Sequence, residues 1–250
     1  MKLIISPAKK MVINTDDFTP RSTPTFLVEA RQLHKQLQSL SYAELKALWH
    51  CSDNVAQTNY HLLQQADLDQ ALTPAIMAFS GIQYQYMAPD LFTAPALSYI
   101  QTHLRILSGL YGILRPFDGV IPYRLEMQAP LQTAQTHNLY DFWGDRLYTA
   151  LQPASEPIIN LASNEYAKSI RPYLRPTDQL VDIKFAHLVD GKLKTRATLA
   201  KMARGSMVRF IAENQLETIA DLTTFNDPNY QYDPVRSTDS TLVFIATKGN

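Results

Sequence analysis

Only one cysteine, Cys51, stands among the 250 residues, which excludes an intramolecular disulfide framework and any paired-cysteine redox or metal motif. Glycine is scarce, eight in all. None of them builds a GxGxxG or GxxxxGK[ST] phosphate loop, and no GxSxG nucleophile elbow occurs. The six histidines (34, 50, 61, 103, 137 and 187) offer one isolated i, i+4 pair, His137 with Asp141, and no paired metal spacing. No metal and no cofactor is therefore expected. Apolar runs are short as well. None approaches the roughly 18 residues of a membrane span, and the opening Met1-Lys2-Leu3-Ile4-Ile5-Ser6-Pro7 ends its apolar run far too soon for a secretory signal. The expectation is a cytoplasmic protein without a membrane partner.

Net charge is also missing. Lysine and arginine number 23, aspartate and glutamate 23, a formal balance of zero that taken whole argues against a nucleic-acid binder. The zero is a cancellation. Residues 1–165 carry 11 basic and 14 acidic groups, residues 166–210 carry 10 and 3, and residues 211–250 carry 2 and 6. One stretch of 45 residues thus holds a net +7.

What is present reads as one globular domain, 1–250, monomeric, with no repeat and no linker long enough to divide it; the flexible stretches are 16–24 and 226–240. A short strand, Lys2–Ile5, opens the chain, and a mainly helical third follows. Apolar positions 27, 30, 33, 37 and 40 have a helical period. Ser41 with Glu44 is a capping box for a helix to about His50, and Asp53 or Asn54 can cap another to about Ala66. Strands are expected at 75–80, 157–161, 180–188, 192–197 and 242–247, with a helix over 138–151 between two of them. This interleaving predicts an α/β or α+β domain with a mixed sheet, at least one antiparallel hairpin and flanking helices.

Asp190-Gly191 marks the hairpin. A three-residue loop, Val189-Asp190-Gly191, separates apolar from charged faces better than a two-residue loop. It places Lys184, Lys192, Lys194 and Arg196 together as a basic comb. The next helix, about 198–214, projects Lys201, Arg204 and Arg209 onto one arc opposite Leu199, Met202, Ala203, Met207, Phe210 and Ile211. Gly205 lies within the basic arc, where a missing side chain lets another backbone approach closely. With Lys168, Arg171 and Arg175 upstream, this region is the candidate anion or nucleic-acid surface; a merely solvated basic face is the plainer reading.

Three further constellations bear on function. Residues 157–168 run from a buried strand into a helix with Asn160, Ser163, Glu165, Tyr166 and Lys168 around the junction, where α/β proteins place ligands; helix capping by Ser163 or Asn164 explains the same residues. Arg105 to Pro116 holds Gly109 and Gly112 between Arg105 and Arg115, either the hairpin of a helix–hairpin–helix or a tight structural turn. Arg124 and Glu126 in Pro122–Met127 are candidates for binding or for a structural ion pair.

Several long segments in one order resemble the YaaA family of bacterial peroxide-stress-response proteins: Ile4–Lys9, 107–127 (LSGLYGILRPFDGVIPYRLEM), 139–145 (LYDFWGD), 160–168 (NLASNEYAK) and 200–209 (AKMARGSMVR). The chain departs from the family pattern at Tyr84–Met87, and at Ser80 and Met202, where lysine can stand. The resemblance implies a protein that limits oxidative damage, associated with lowering free intracellular iron. It implies binding of double-stranded DNA through a basic cleft drawing on Lys9, Arg124, Lys168, Lys201 and Arg204. It also implies a helix–hairpin–helix-like element from Gly109 to Arg115. The alternative is an enzyme acting on a phosphorylated or nucleotide-like small molecule at the 160–168 junction, beside Arg124 and Glu126.

Overall fold

The computed structural model describes residues 1–14, 18–70, 72–152 and 156–247, so part of the 16–24 loop reading lies outside the described residues. Five parallel strands form the centre of the sheet: β1 (Lys2–Ile5), β5 (Leu104–Ser108), β8 (Ile158–Leu161), β9 (Leu180–Val189) and β12 (Thr241–Ala246). They lie in the order β12-β9-β8-β1-β5. Antiparallel strands close both edges, β11 (Tyr230–Tyr232) on β12 and β6 (Gly112–Leu114) on β5. A further strand, β10 (Lys192–Lys194), folds back on β9. Two small ladders stand apart: β2 (Lys10–Met11) with β4 (Phe79–Ser80), and β3 (Thr73–Pro74) with β7 (Gly119–Val120).

The central strands explain this architecture. Leu3, Ile4 and Ile5 of β1, like Ile158, Ile159 and Leu161 of β8, are wholly buried on both faces. Continuous apolar runs of this kind belong to parallel strands covered on each side by helices. The described residues accordingly pack round one hydrophobic core. The expected mixed α/β sheet with flanking helices is the observed fold.

The helical third is α1 (Leu27–Gln38), α2 (Tyr42–Trp49) and α3 (Asp53–Gln65). The Ser41–Glu44 capping box forms on α2 as expected. The 75–80 segment does not form the expected strand. Ala75–Ala78 is one helical turn, α4, and only Phe79–Ser80 pairs; so short an apolar run carries no periodicity to separate the two states. After it come α5 (Ile82–Met87) and α6 (Ala94–His103). The helix expected over 138–151 is two, α7 (Leu139–Trp143) and α8 (Arg146–Leu151), divided at Gly144 with φ +51°. The C-terminal half adds α9 (Asn164–Ala167), α10 (Ala197–Asn214) and α11 (Ile219–Leu222).

Two expectations are corrected here. The hairpin uses a two-residue loop: Val189 pairs with Lys192, Leu188 with Leu193 and His187 with Lys194. Asp190 and Gly191 take φ +52° and +74°, the positive values of the turn that matches strand twist. In this register Lys192 and Lys194 share the face of His187, Lys184 lies on the opposite face, and Arg196 sits beyond the strand as the N-cap of α10. The basic comb of Lys184, Lys192, Lys194 and Arg196 is therefore not built. Every residue of β10 is exposed, so no core constrains its register and turn chemistry decides. Second, Gly109–Arg115 is the turn and return strand of the β5–β6 hairpin, not a hairpin between helices. A β hairpin follows from Leu104–Leu114, a run of buried residues apart from half-buried Arg105.

Candidate functional site

The carboxyl ends of β1 and β8 define the site. The chain leaves β1 toward β5 on one side and leaves β8 toward β9 on the other. Neighbouring strands whose connections diverge in this way open a crevice beyond their carboxyl ends, the usual ligand position of open α/β sheets. A cleft of about 480 Å³ lies there, a volume in the range of small-molecule sites.

Five segments build its walls. Ser6–Lys10 continues from β1, and Ser163, Glu165 and Tyr166 continue from β8 into α9. Gln83 and Tyr84 come from α5, Lys201 and Arg204 from α10, and Arg124 and Glu126 from the loop after β7. Hydrogen bonds fix the first two segments to each other. The Ser163 amide donates to Ser6 Oγ (2.8 Å), the Ser6 hydroxyl donates to Ser163 Oγ (3.2 Å), and the Tyr84 hydroxyl donates to the Ser6 carbonyl (3.0 Å). Ser163 therefore ties two strand ends together and makes no side-chain cap on α9.

Glycines set the other walls. A Cβ on Gly205 would collide with the Gln83 carbonyl and meet the Met87 amide nitrogen at 2.9 Å. Here α10 presses on the backbone of α5, the close approach expected from the sequence, and the crossing sets Gln83 beside Lys201 and Arg204. A Cβ on Gly109 would collide with the Leu125 carbonyl, and one on Gly112 would meet Trp143 at 2.8 Å. Trp143 Nε1 donates to the Gly109 carbonyl (3.0 Å), and Ser108 Oγ bonds Tyr123 Oη (2.6 Å). Gly109 thus seats the 122–127 segment that delivers Arg124 and Glu126 to the cleft, and Gly112 makes room for Trp143 and Leu147.

The cations predicted from sequence part company. Lys9, Arg124, Lys201 and Arg204 line the cleft, joined by Lys10. Lys168 stands beside it, its ammonium 4.8 Å from the ring centre of Tyr140, whose hydroxyl donates to the Glu165 carbonyl (3.0 Å). The others lie elsewhere. Arg105 donates to the carbonyls of Gln101 (3.3 Å) and Leu104 (2.8 Å), and Arg115 pairs with buried Asp118. Both sit at the amino end of β5, opposite the cleft. Arg171 pairs with Asp182, which also accepts from Asn160 Nδ2 (2.7 Å), so Asn160 is held in a structural network. Arg209 pairs with Glu213 one turn along α10. Lys184, Lys192, Lys194 and Arg196 are exposed around the β9–β10 hairpin.

Inside the cleft, Glu126 pairs with Lys9 (2.8 Å) and not with Arg124. Glu165 is pushed up from its ordinary value by burial and, secondarily, by Glu126, while the Gln128 amide, donating from 3.3 Å, partly opposes the shift. Burial pulls the Arg204 guanidinium down, and Asp182 opposes that shift. Three residues that line the cleft each carry an N–H group buried without any hydrogen-bond partner: Gln83 Nε2, Arg124 Nε and Arg204 Nε. Gln83 was missed in the sequence because an isolated glutamine in Ile82–Met87 carries no motif; only the packing at Gly205 brings it to the site. Across the Lys9–Glu126 pair lies a second recess of about 310 Å³, lined by Trp49, His50, Arg124 and Gln128.

These features define a class: an open, mainly parallel α/β domain with a cation-lined cleft at its topological switch point. The chain belongs to the family of the peroxide stress protein YaaA, whose model matches residues 1–236. It is 62% identical over 245 residues to a UPF0246 protein of Lactiplantibacillus plantarum, covering 98% of this chain and 99% of the relative. It is similar to UPF0246 proteins of Lacticaseibacillus casei, 59% identical over 98% of this chain and 100% of the relative, and of Agathobacter rectalis, 46% identical over 98% of each. Membership of this family supports a general role in the response to oxidative stress. No described helix is long and apolar enough to cross a membrane.

Proposed function

We propose that this chain acts under peroxide stress as a cytoplasmic, monomeric protein that limits oxidative damage by holding double-stranded DNA across the mouth of its basic cleft. The observation that carries the proposal is convergence: Lys9, Lys10, Arg124, Lys201 and Arg204, scattered over nearly 200 residues of sequence, line one concavity. Lys9, Lys10, Lys168 and Lys201 are exposed at or beside it, placed to meet phosphates, and the acidic Glu213 of the same helix as Lys201 is paired with Arg209. The lowering of free intracellular iron that the family resemblance implies belongs to the proposal as a consequence in the cell. Among the described residues no cluster of three or more His, Cys, Asp or Glu side chains is placed to hold a metal, and the proposal assigns iron no site on the chain.

The test is fluorescence anisotropy on a labelled duplex across a salt series. Four phosphate contacts correspond to a slope of log K on log[salt] of about −4. Lys10→Glu with Lys201→Glu, both at exposed positions, should abolish most binding at low salt while leaving the melting temperature in place. A duplex that fails to bind at low salt, or binds the double variant equally well, defeats the proposal.

A second reading, an enzyme acting on a phosphorylated small molecule, is favoured by one observation: Arg124, Glu126, Ser163, Glu165 and Tyr166 do meet in the cleft. Two residues first grouped with them, Asn160 and Lys168, do not line it.

A further inference from the structure

Two buried donors in the cleft remain unexplained by packing or by contact with a duplex. Gln83 is 7% exposed, and its amide Nε2 has no partner. Arg204 Nε, on α10 packed against α5, is likewise buried and unpartnered. An unpaired buried N–H carries a desolvation penalty, so a fold that retains two beside one cavity retains them against that cost. Arg124 Nε is a weaker witness. It also borders a void of about 10 Å³ with His34 and Trp49, whose ring nitrogens are unpaired too, and that void has room for about one water. Gln83 and Arg204 border only the larger cleft among the cavities described.

Both orphans donate, and their neighbours Lys201 and Arg124 are cations. The complementary ligand group is therefore an anion rich in acceptors and free of donors. Its size and charge are also constrained. Phosphates in the middle of a duplex strand are singly charged and lie on a rod about 20 Å wide, which spans the cleft mouth but does not enter a 480 Å³ cavity. A phosphate monoester projects from the end of a molecule, carries up to two charges and offers three free oxygens. We infer that the floor of the cleft, formed by Gln83 Nε2 and the guanidinium of Arg204 with Lys201 and Arg124 beside them, is a subsite for a terminal phosphate monoester. The second recess beyond Lys9–Glu126 gives room to the moiety that carries it. Two sources supply this chemistry, a mononucleotide-sized small molecule and the 5′-phosphorylated end of a DNA strand. The inference rests on the reading of this cleft as the working site.

The experiment uses the full chain and calorimetric titration with inorganic phosphate and with adenosine 5′-monophosphate. Anisotropy on the same duplex with and without 5′-phosphates follows. Inorganic phosphate should bind one to one, and each phosphate ligand should weaken about tenfold or more in Gln83→Leu and in Arg204→Lys, the size of a lost hydrogen bond to a charged group. Lys192→Ala, on the outer hairpin, should leave it unchanged. Gln83→Glu keeps the shape of the side chain and should repel the anion if Gln83→Leu proves unfolded. Tighter binding of the monophosphate than of phosphate identifies a small-molecule source, and a preference for the 5′-phosphorylated duplex identifies a DNA end. No phosphate binding at millimolar concentration, or binding indifferent to both Gln83 and Arg204 variants, overturns the inference even if the plain duplex binds. Phosphate binding without duplex binding removes the DNA reading and leaves the subsite standing.

Discussion

The arginines of this chain fall into two populations that differ in what surrounds them. At the amino end of β5, Arg115 meets a carboxylate with no exposed surface: Asp118 accepts from the Arg115 amide (2.8 Å), from Arg115 Nε (3.1 Å) and from Ser22 Oγ (2.5 Å). At the carboxyl ends of β1 and β8, Arg204 and Arg124 keep buried N–H groups without partners. The first arrangement satisfies a buried carboxylate and contributes to stability. The second holds bonding capacity in reserve at a cost to stability. Charge counted along the sequence treats them alike; partners tell them apart.

The largest effect is expected at the satisfied carboxylate, Asp118. Asp118→Ala removes the buried acceptor of three donors, the Arg115 amide, the half-exposed Arg115 guanidinium and the Ser22 hydroxyl, and at about 1 kcal/mol per hydrogen bond the loss is about 3 kcal/mol. For a chain of this size that corresponds to roughly 6–12 °C in melting temperature. Duplex binding measured below the transition should not change. If the melting temperature holds, the Arg115 network is not the structural element described here.

Gly205→Ala comes next and touches both properties at once. Its Cβ would drive into the Gln83 carbonyl and against the Met87 amide, and overpacking of this kind costs about 1–3 kcal/mol. Relief by separation of α10 from α5 also spreads Gln83 from Arg204. A loss of stability with anion binding intact would show that the two helices do not set the cleft.

How far these regions can be read from sequence follows from the range of the forces involved. The capping box of α2 is local, and it was legible. So were the buried strands β1, β8 and β12, whose apolar runs stand out, and so was the need for a side-chain-free position at Gly205. The hairpin register is not legible from face segregation because β10 has no buried face; there the positive φ of Asp190 and Gly191 decides. In the LSGLYG segment the sequence leaves a tight turn and a helix–hairpin–helix open, and the structure has the turn. Its glycines serve contacts with Leu125 and Trp143, 16 and 31 positions along the chain, and no pattern within the segment reports them. In the site, the cations were legible as a surplus, but which of them lacked partners was not. Arg171 and Arg209 look no different from Arg204 until Asp182 and Glu213 are placed beside them.

Arg204→Met sharpens the comparison from the cleft side. Methionine keeps the apolar stem in contact with its neighbours and removes the orphaned donor. Stability should stay within about 1 kcal/mol of the parent or rise, since replacing an unsatisfied polar group with an apolar one of similar shape is close to neutral. Anion binding should fall by an order of magnitude or more. A variant that unfolds like Asp118→Ala would place Arg204 among the structural arginines after all.

The smallest effect concerns Glu165, the carboxylate that the cleft holds beside its cations. Burial first, and Glu126 after it, raise the carboxyl above its ordinary value of 4.5. A group with a raised folded value binds its proton more tightly in the folded state. Its stabilising contribution is therefore complete below pH 4.5 and is lost as pH rises through the raised value. Glu165→Gln, fixed in a neutral form, should consequently melt slightly above the parent at pH 8, and the difference should shrink steadily toward pH 4.5. Differential scanning calorimetry of the two proteins across that range reads the sign directly. A difference that widens on acidification would mean that Glu165 is stabilised as a carboxylate, and that the cations of this cleft are committed to it and not held for a ligand.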